Sequence, residues 1–97
     1  MTFILIGNKP EKDDLQLANR AWRPIAAEIA RSKLIDGERC ETIAFHLCTK
    51  VDALEAKRIS DHLRQMLKSG ELPTSIDPDA AHLVVDFAGS SDGFEVC

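Results

Sequence analysis

No stretch of this sequence approaches the roughly 18 consecutive apolar residues that a membrane-spanning helix needs, so a membrane protein is not expected. The apolar opening Phe3–Ile6 has no basic flank and no small-residue cleavage site, and acids and lysines follow it at once. We therefore do not interpret it as a signal peptide, and we expect a cytoplasmic protein.

Cysteine is scarce, and its three copies, Cys40, Cys48 and Cys97, are odd in number and widely spaced. A bridge between Cys40 and Cys48 is conceivable, but free thiols are the default in a reducing compartment. Cys40, His46 and Cys48 also offer three metal ligands, whereas structural zinc uses four, usually with closely spaced cysteine pairs. We expect free thiols, no metal site and no cofactor.

Lysine and arginine are absent from the last quarter of the chain. From Glu71 onward there are six acids and no basic residue, whereas residues 20–68 hold ten basic and seven acidic side chains. The formal net charge of −4 argues against direct nucleic-acid binding, which needs clustered positive charge. The acidic quarter could attract a basic partner, or it could be a solvated face that aids solubility. The candidate partner-binding residues are Glu71, Asp77, Asp79, Asp86, Asp92 and Glu95.

The stretch Asn8-Lys9-Pro10-Glu11 follows an apolar strand, as the guanine-binding motif Asn-Lys-x-Asp does in GTPases. That motif needs aspartate at its fourth position, because a short carboxylate pairs with two N–H donors of the base. Glutamate stands there instead, and the glycine-rich phosphate loop that must accompany the motif is absent from the chain. We interpret the stretch as a strand that ends in an ordinary turn.

A composition of 44% hydrophobic and 29% charged residues is typical of one globular domain, here residues 1–97. Two short apolar segments near the ends, Thr2–Ile6 and Phe94–Cys97, predict β-strands. A lone short strand cannot satisfy its backbone hydrogen-bonding groups, so we predict that these two strands pair with each other. The open edges of the resulting ribbon invite a third strand, from residues 42–48 or from a second copy of the chain.

Apolar residues at helical spacing predict a first helix that follows the capping pair Asp13-Asp14. Pro24 lies inside the apolar stripe, so we expect the helix to kink or break there. Trp22, the only tryptophan, is expected in the core, and a role at an interface is the alternative. The stripe consists of Ala18, Trp22, Ile25 and Ile29.

The clearest element begins at Asp52, which forms a capping-box pattern with Glu55, and it ends at Gly70. A last helix begins with Asp77 as its cap and Pro78 in its first turn, and it ends at Gly89. The long helix is predicted to bury Ala56, Ile59, Leu63, Met66 and Leu67 and to expose Lys57, Arg58, Asp61 and Arg64, and the last helix to bury Ala80, Leu83, Val84 and Phe87.

Two intermediate regions are less regular. Asp36-Gly37 predicts a turn. Thr42–Cys48 fits both strand and helix spacing, and we expect a helix or irregular structure there. Together the elements predict an α+β fold that is mostly helical. Three to four helices pack on a small antiparallel sheet formed by the N- and C-terminal strands.

A histidine beside carboxylates is the main hint of catalysis. His82 lies three residues after Asp79 and four before Asp86, so a helix would bring a carboxylate beside its imidazole. No serine or cysteine nucleophile is tied to it by sequence, and an ordinary surface pair on a helix has the same spacing. His62 beside Asp61 is a weaker candidate, because adjacent residues on a helix point apart. We do not expect an enzyme.

Three stretches stand out together: Asn19-Arg-Ala-Trp22, Val51-Asp-Ala-Leu-Glu-Ala56, and the end of the chain from Phe87 to Val96. Together they resemble a loose group of small bacterial and phage-encoded proteins of unknown function, which finish on a helix, a Ser-Gly-Gly-Phe-like turn and a short apolar strand. The resemblance covers about residues 19–97 and implies accessory biology associated with mobile elements, without catalytic residues. Asp92, where the group tends to have glycine, and the opening strand depart from its pattern.

These observations lead to a non-enzymatic protein-binding module as the first functional hypothesis. It would be a phage- or mobile-element-encoded inhibitor, such as an anti-defence (anti-CRISPR-like) protein, or an immunity-type protein, and would block a basic surface on a protein that handles nucleic acid. The alternative is a homo-oligomeric structural or ligand-sequestering protein, a homodimer for example. A small enzyme, the third hypothesis, would need His82, Asp86 or Cys48 to converge in a pocket.

Overall fold

A computed structural model of the chain describes residues 2–8, 14–43 and 48–97. None of the helices in these ranges combines the length and the apolar character that crossing a bilayer requires. In chain order the elements are β1 (Thr2–Gly7), β2 (Leu15–Ala18), α1 (Asn19–Arg31), α2 (Gly37–Thr42), β3 (Thr49–Val51), α3 (Ala53–Ser69), α4 (Pro78–Ser90) and β4 (Phe94–Val96).

The described strands form one antiparallel sheet in the order β2-β1-β4-β3. β1 pairs with β4 so that Leu5 lies opposite Val96, which confirms the predicted pairing of the two terminal strands. The sheet is wider than the predicted ribbon, because β2 adds to the free edge of β1 and β3 adds to the free edge of β4. The third strand was expected from residues 42–48 or from a second copy of the chain. The strand that pairs with β4 is instead Thr49–Val51, immediately after that range.

Helices cover one side of this sheet, and the strands alternate accordingly. Residues that point toward the helices are buried, apart from the half-buried Leu15, whereas their neighbours point the other way and are exposed or half-buried. The fold is therefore α+β and mostly helical, as predicted. The inward residues include Phe3, Leu5, Phe94 and Val96, and the outward ones include Ile4, Ile6, Lys50 and Glu95.

The segment Leu15–Ala18 is a strand, which corrects the prediction that a helix begins directly after Asp13-Asp14. Asp14 precedes the strand, and Asp13 lies outside the described residues. Leu15 and Leu17 face the core while Gln16 is exposed, so this short segment alternates with a period of two. The pairing with β1 overrides the helical spacing, because the free edge of β1 needs hydrogen-bond partners.

Helix α1 runs without interruption from Asn19 to Arg31, so of the two predicted alternatives at Pro24, a kink or a break, the break is wrong. Proline removes one backbone hydrogen bond, and the packing of the buried face offsets this cost. Trp22 at the centre of that face is fully buried, its Nε1 donates to the carbonyl of Ile43 at 2.8 Å, and its ring lies 6.3 Å from that of Phe3. This confirms Trp22 as a core residue.

The region around α2 is only partly described. Asp36 directly precedes α2, so the predicted turn at Asp36-Gly37 opens a short helix. Thr42 ends that helix and Cys48 precedes β3. Residues 44–47, on which the choice between helix and strand depended, lie outside the described residues.

Both long helices begin as predicted. Asp52 accepts a hydrogen bond from the backbone of Glu55, whose side chain accepts one from the backbone of Asp52, and Gly70 ends α3 with φ of 74°. In α4 the predicted cap Asp77 and first-turn Pro78 are present. Leu83, however, is 50% exposed rather than buried, because α4 packs through Ala81, Val85 and Ala88, whose small or branched side chains admit close neighbours.

Candidate functional site

The exposed side of α4 carries two of the predicted acidic residues. Asp79 and Asp86 lie seven residues apart, or about two helical turns, and His82 and Leu83 lie between them on the same exposed side. Leu83 is the large apolar residue in this otherwise charged or polar surface. We refer to Asp79, His82, Leu83 and Asp86 as the acidic face.

The start of α4 adds a further negative charge. Asp77 is exposed, and its carboxylate accepts a hydrogen bond from the backbone N–H of Asp79 at 3.0 Å. The N-terminus of a helix carries partial positive charge, which stabilises a carboxylate placed there. Asp77 therefore caps α4 and lies at one end of the acidic face.

Two other predicted acids flank α4 without belonging to its acidic face. Glu71 is exposed between α3 and α4, and Asp92 is exposed in the turn that joins α4 to β4. Each lies in a connection at one end of the helix. Neither residue lies in the exposed row of α4.

Glu95 lies elsewhere in the molecule. It is half-buried on β4, opposite Ile6 of β1 and Lys50 of β3, on the side of the sheet that faces away from the helices. Opposite charges at facing positions of neighbouring strands attract each other, so Glu95 and Lys50 favour the pairing of β4 with β3. The sheet separates Glu95 from the acidic face, and the six predicted acids do not form one continuous surface.

The geometry that a catalytic His82 would need is not formed. His82 is exposed, and within the described part of the chain no hydrogen bond joins its ring to Asp79 or Asp86. A general base requires an orienting partner and a place where substrate can bind beside it. On α4 these residues form a surface row instead.

Helix α3 presents the opposite charge. Lys57, Arg64 and Lys68 are exposed at positions i, i+7 and i+11, which is one row along a helix. Asp61 lies in the same row, with its Oδ1 3.5 Å from Nη1 of Arg64. We refer to Lys57, Arg64 and Lys68 as the basic row. The sequence predicted that this side of α3 is exposed, but its position beside α4 follows from tertiary packing.

A groove of about 530 Å³ lies between the basic row and the end of α4. Gly89 forms part of its wall, and a Cβ at this position would lie 3.0 Å from Oγ of Ser60, so a larger residue would press on α3. Oγ of Ser60 in turn donates to the carbonyl of Val85 at 2.9 Å. These contacts fix the register of α3 against α4.

A buried carboxylate links α1 to α3. Glu28 is 4% exposed and accepts hydrogen bonds from Arg31 at 2.6 and 3.0 Å, from Ser32 at 2.8 Å and from His62 at 2.8 Å. Burial raises the pKa of Glu28, but these hydrogen bonds, led by those from Arg31, outweigh it and lower the pKa to about 2. His62 is thus a structural partner of a residue 34 positions away, which no local pattern could indicate.

Ser32, His62 and Glu28 are the residue types of a catalytic relay, but their geometry differs from one. In a relay the two ring nitrogens of histidine face different partners, the hydroxyl on one side and the carboxylate on the other. Here Nε2 of His62 faces both Glu28 at 2.8 Å and Ser32 at 3.2 Å, and the hydroxyl of Ser32 also donates to Glu28. The cluster therefore joins two helices and lacks the geometry of such a relay.

A second charged cluster joins α2 to the start of α3. Arg39 donates to both oxygens of Glu55, at 2.5 and 2.6 Å, and also to Asp36 and to the carbonyl of Lys50. The bidentate hydrogen bonds with Glu55 are the main reason that the pKa of Arg39 is raised. Arg39 lines a groove of about 490 Å³ at this end of the sheet, but its guanidinium is already committed to the fold.

Cys48 and Cys97 form a disulfide bond, so the prediction of free thiols at these two positions is wrong. Thr49 lies opposite Val96 in the β3–β4 ladder, and the next pair outward is Cys48 and Cys97, with Cα atoms 4.2 Å apart. The sequence could not indicate this pairing, because β3 itself was not predicted. Cys40 is a free, half-buried cysteine.

The metal ligands considered from the sequence are only partly described. Cys48 is bonded to Cys97, and His46 lies outside the described residues. Among residues 2–8, 14–43 and 48–97, no group of three or more histidine, cysteine, aspartate or glutamate side chains could hold a metal ion.

Asn8, the first residue of the GTPase-like stretch, holds a turn. Its Nδ2 donates to the carbonyl of Asp92 at 3.0 Å, and its backbone N–H donates to the carbonyl of Gly93 at 3.1 Å. The remainder of that stretch lies outside the described residues. The amide that would contact a guanine in the motif is therefore used here to fix the approach to β4.

No protein-family model, no curated protein and no solved structure gives a significant match to this chain. Its function must therefore be inferred from its own residues.

Proposed function

We propose that this protein is a non-enzymatic binding module whose acidic face covers a basic surface on another protein. The observation that carries the proposal is Leu83, which is 50% exposed between Asp79 and Asp86. Protein interfaces combine an apolar centre that is removed from water with a charged rim that orients the partner. The acidic face has both components on one rigid helix.

The charge distribution supports a basic partner. Asp77, Asp79 and Asp86 lie on or beside α4, and no lysine or arginine follows Lys68 in the chain. A surface of one sign steers an oppositely charged partner over roughly 10 Å at 0.1 M salt. Association through this face should therefore be fast at low salt and slower at high salt.

The internal use of the reactive side chains favours binding over catalysis. Glu28 and His62 bond to each other inside the fold, and Arg39 is held by Glu55. Cys48, a possible nucleophile, is in a disulfide bond. These groups stabilise the scaffold that presents α4.

The partner that fits this chemistry is a protein with a basic surface for nucleic acid, which the acidic face would block. An inhibitor carried by a phage or another mobile element acts in this way. An anti-defence protein such as an anti-CRISPR, or an immunity-type protein, would meet its target in the cytoplasm. There the Cys48–Cys97 bond would be reduced, and the fold would depend on its core and sheet alone. Direct binding of this protein to nucleic acid is not part of the proposal, because the acidic face would repel phosphates.

The test is affinity capture from a host lysate with three tagged forms of the protein. These are the wild type, the double variant Asp79→Lys/Asp86→Lys, and the control Asp14→Lys/Glu38→Lys, which makes the same charge change at two exposed acids outside α4. Wild type and control should capture the same nucleic-acid-handling protein and release it at high salt. The α4 variant should not capture it.

A direct competition completes the test. The captured protein should lose its nucleic acid when wild-type protein is added, and Leu83→Ala should weaken this competition by about tenfold. Capture that survives charge reversal on α4, or that does not respond to salt, would show that another surface binds the partner.

A further inference from the structure

The helices α3 and α4 lie side by side with opposite charge on their exposed sides. The start of α3 and the end of α4 line the same groove, so the two helices are antiparallel. The hydroxyl of Ser60 donates to the carbonyl of Val85 and would lie 3.0 Å from a Cβ at residue 89, which places residue 60 level with residues 85–89. The basic row and the acidic face therefore form two neighbouring stripes of opposite sign.

Two pairs of opposite charges on the two stripes lie at similar heights. A helix rises about 1.5 Å per residue, so Lys68, eight residues after Ser60, lies about 12 Å from Ser60 along the axis of α3, toward its C-terminal end. Asp79 lies eight residues before Phe87, which is about 12 Å in the same direction because the helices are antiparallel. By the same count, Arg64 and Asp86 differ in height by about 5 Å, which long side chains can span. Asp61, which lies in the same row as the basic residues, is level with Asp86 by the same count, but its carboxylate already lies 3.5 Å from Nη1 of Arg64.

We propose that a second copy of this chain docks on this surface, so that the basic row of each copy meets the acidic face of the other. The two copies are related by a two-fold axis that lies between them and runs parallel to the helices. Rotation about this axis does not change the position of a residue along the helix direction. It places α3 of one copy over α4 of the other. It brings Lys68 near the partner copy's Asp79 and Arg64 near its Asp86. A two-fold axis perpendicular to the helices would instead place α3 on α3 and like charge on like charge.

Exposed leucines lie on the same two helices. Leu54 of α3 is 59% exposed and Leu83 of α4 is 50% exposed. Attraction between stripes of opposite charge alone gives a weak, salt-sensitive contact, since exposed ion pairs contribute little. Apolar side chains on the docking helices add area that leaves water when the copies meet. The expected dimer is therefore reversible, and it weakens as salt is added.

This dimer goes beyond the proposed binding function, although both use the acidic face. A second copy and a basic partner would compete for Asp79 and Asp86. Self-association would thus cover the acidic face until a partner with a more complementary basic surface displaces the second copy.

The experiment measures mass by light scattering for the folded chain at low salt and high protein concentration. The wild type should be a dimer. Two variants should be monomeric. One is Lys57→Glu/Arg64→Glu, which makes both stripes acidic. The other is Asp79→Lys/Asp86→Lys, which makes both stripes basic. An equimolar mixture of the two variants should recover the dimer mass, because each stripe then faces its opposite.

The control is Arg20→Glu/Arg23→Glu, which makes the same charge change on the exposed side of α1 and should remain a dimer. Circular dichroism confirms that every variant is folded. A monomeric wild type, a variant that still dimerises alone, or a mixture that stays monomeric would overturn the proposal. The lysate capture separates this failure from that of the proposed function: Lys57→Glu/Arg64→Glu keeps the acidic face, so it should still capture the basic partner.

Discussion

At the scale of single residues, Glu28 shows how one buried carboxylate joins distant parts of the chain. It accepts hydrogen bonds from its own helix through Arg31 and Ser32, and from α3 through His62. An ionised carboxylate is stable in a buried site only when donors of this kind surround it. The sequence could predict that Glu28 lies on α1, but not that His62 approaches it, because the contact is set by the packing of two helices.

The depressed pKa of Glu28 predicts a specific pH dependence of stability. Its folded-state pKa of about 2 lies below the usual value of 4.5, so the unfolded chain takes up the proton first. The stabilisation is complete above pH 4.5 and is lost as the pH falls towards 2. Glu28→Gln should therefore be about 3 kcal/mol less stable than the wild type at neutral pH, and the gap should close in acid.

Urea unfolding of both proteins between neutral pH and pH 2 measures this gap. The exposed residue Glu38 supplies the control, since Glu38→Gln should differ little from the wild type at any pH. A gap between wild type and Glu28→Gln that stays constant across the acidic range would mean that the charge of Glu28 does not stabilise the fold.

At the scale of elements, the sequence predicted those whose ends carry local chemistry. Asp52 with Glu55, Gly70, and Asp77 with Pro78 mark the ends of α3 and α4 through short-range hydrogen bonds. β2 and β3 have no such marks: they are four and three residues long, and pairing with neighbours defines them. The sequence identified the acids of the acidic face. It did not predict the exposure of Leu83, because that depends on how α4 packs.

The pairing of β3 with β4 leads to a prediction about the disulfide bond. Cys48 and Cys97 are 49 residues apart. A cross-link over such a loop lowers the conformational entropy of the unfolded chain, which stabilises the folded state by about 2–4 kcal/mol. Oxidised wild-type protein should show one reactive thiol when denatured, from Cys40, and three after reduction. Reductant should lower the midpoint of urea unfolding.

Two variants make this prediction specific. Cys40→Ser should keep the response to reductant, because Cys40 takes no part in the bond. Cys48→Ser/Cys97→Ser should be as stable as the reduced wild type and should not respond. Three reactive thiols in protein purified without reductant would contradict the assignment.

At the scale of the whole molecule, the order of the strands gives the end of the chain a central role. β4 lies between β1 and β3, and its residues Phe94 and Val96 are at most 1% exposed. Complete burial of such side chains contributes roughly 1.5–3 kcal/mol each, against a total of about 5–15 kcal/mol for a typical domain. Without residues 94–96 the sheet would be interrupted at its centre, and β3 would lose its pairing partner.

A chain that lacks residues 94–97 should consequently be unfolded as a whole, not merely frayed at one end. Trp22 reports this directly, because it is the only tryptophan and is fully buried. Its fluorescence should shift from the emission of a buried indole to that of a solvated one, with loss of cooperative urea unfolding. Cys97→Ser keeps β4 while removing the disulfide bond, so it should retain buried emission. If the shortened chain also retained it, α1, α3 and α4 would form a core without the sheet, and the central position of β4 would not govern folding.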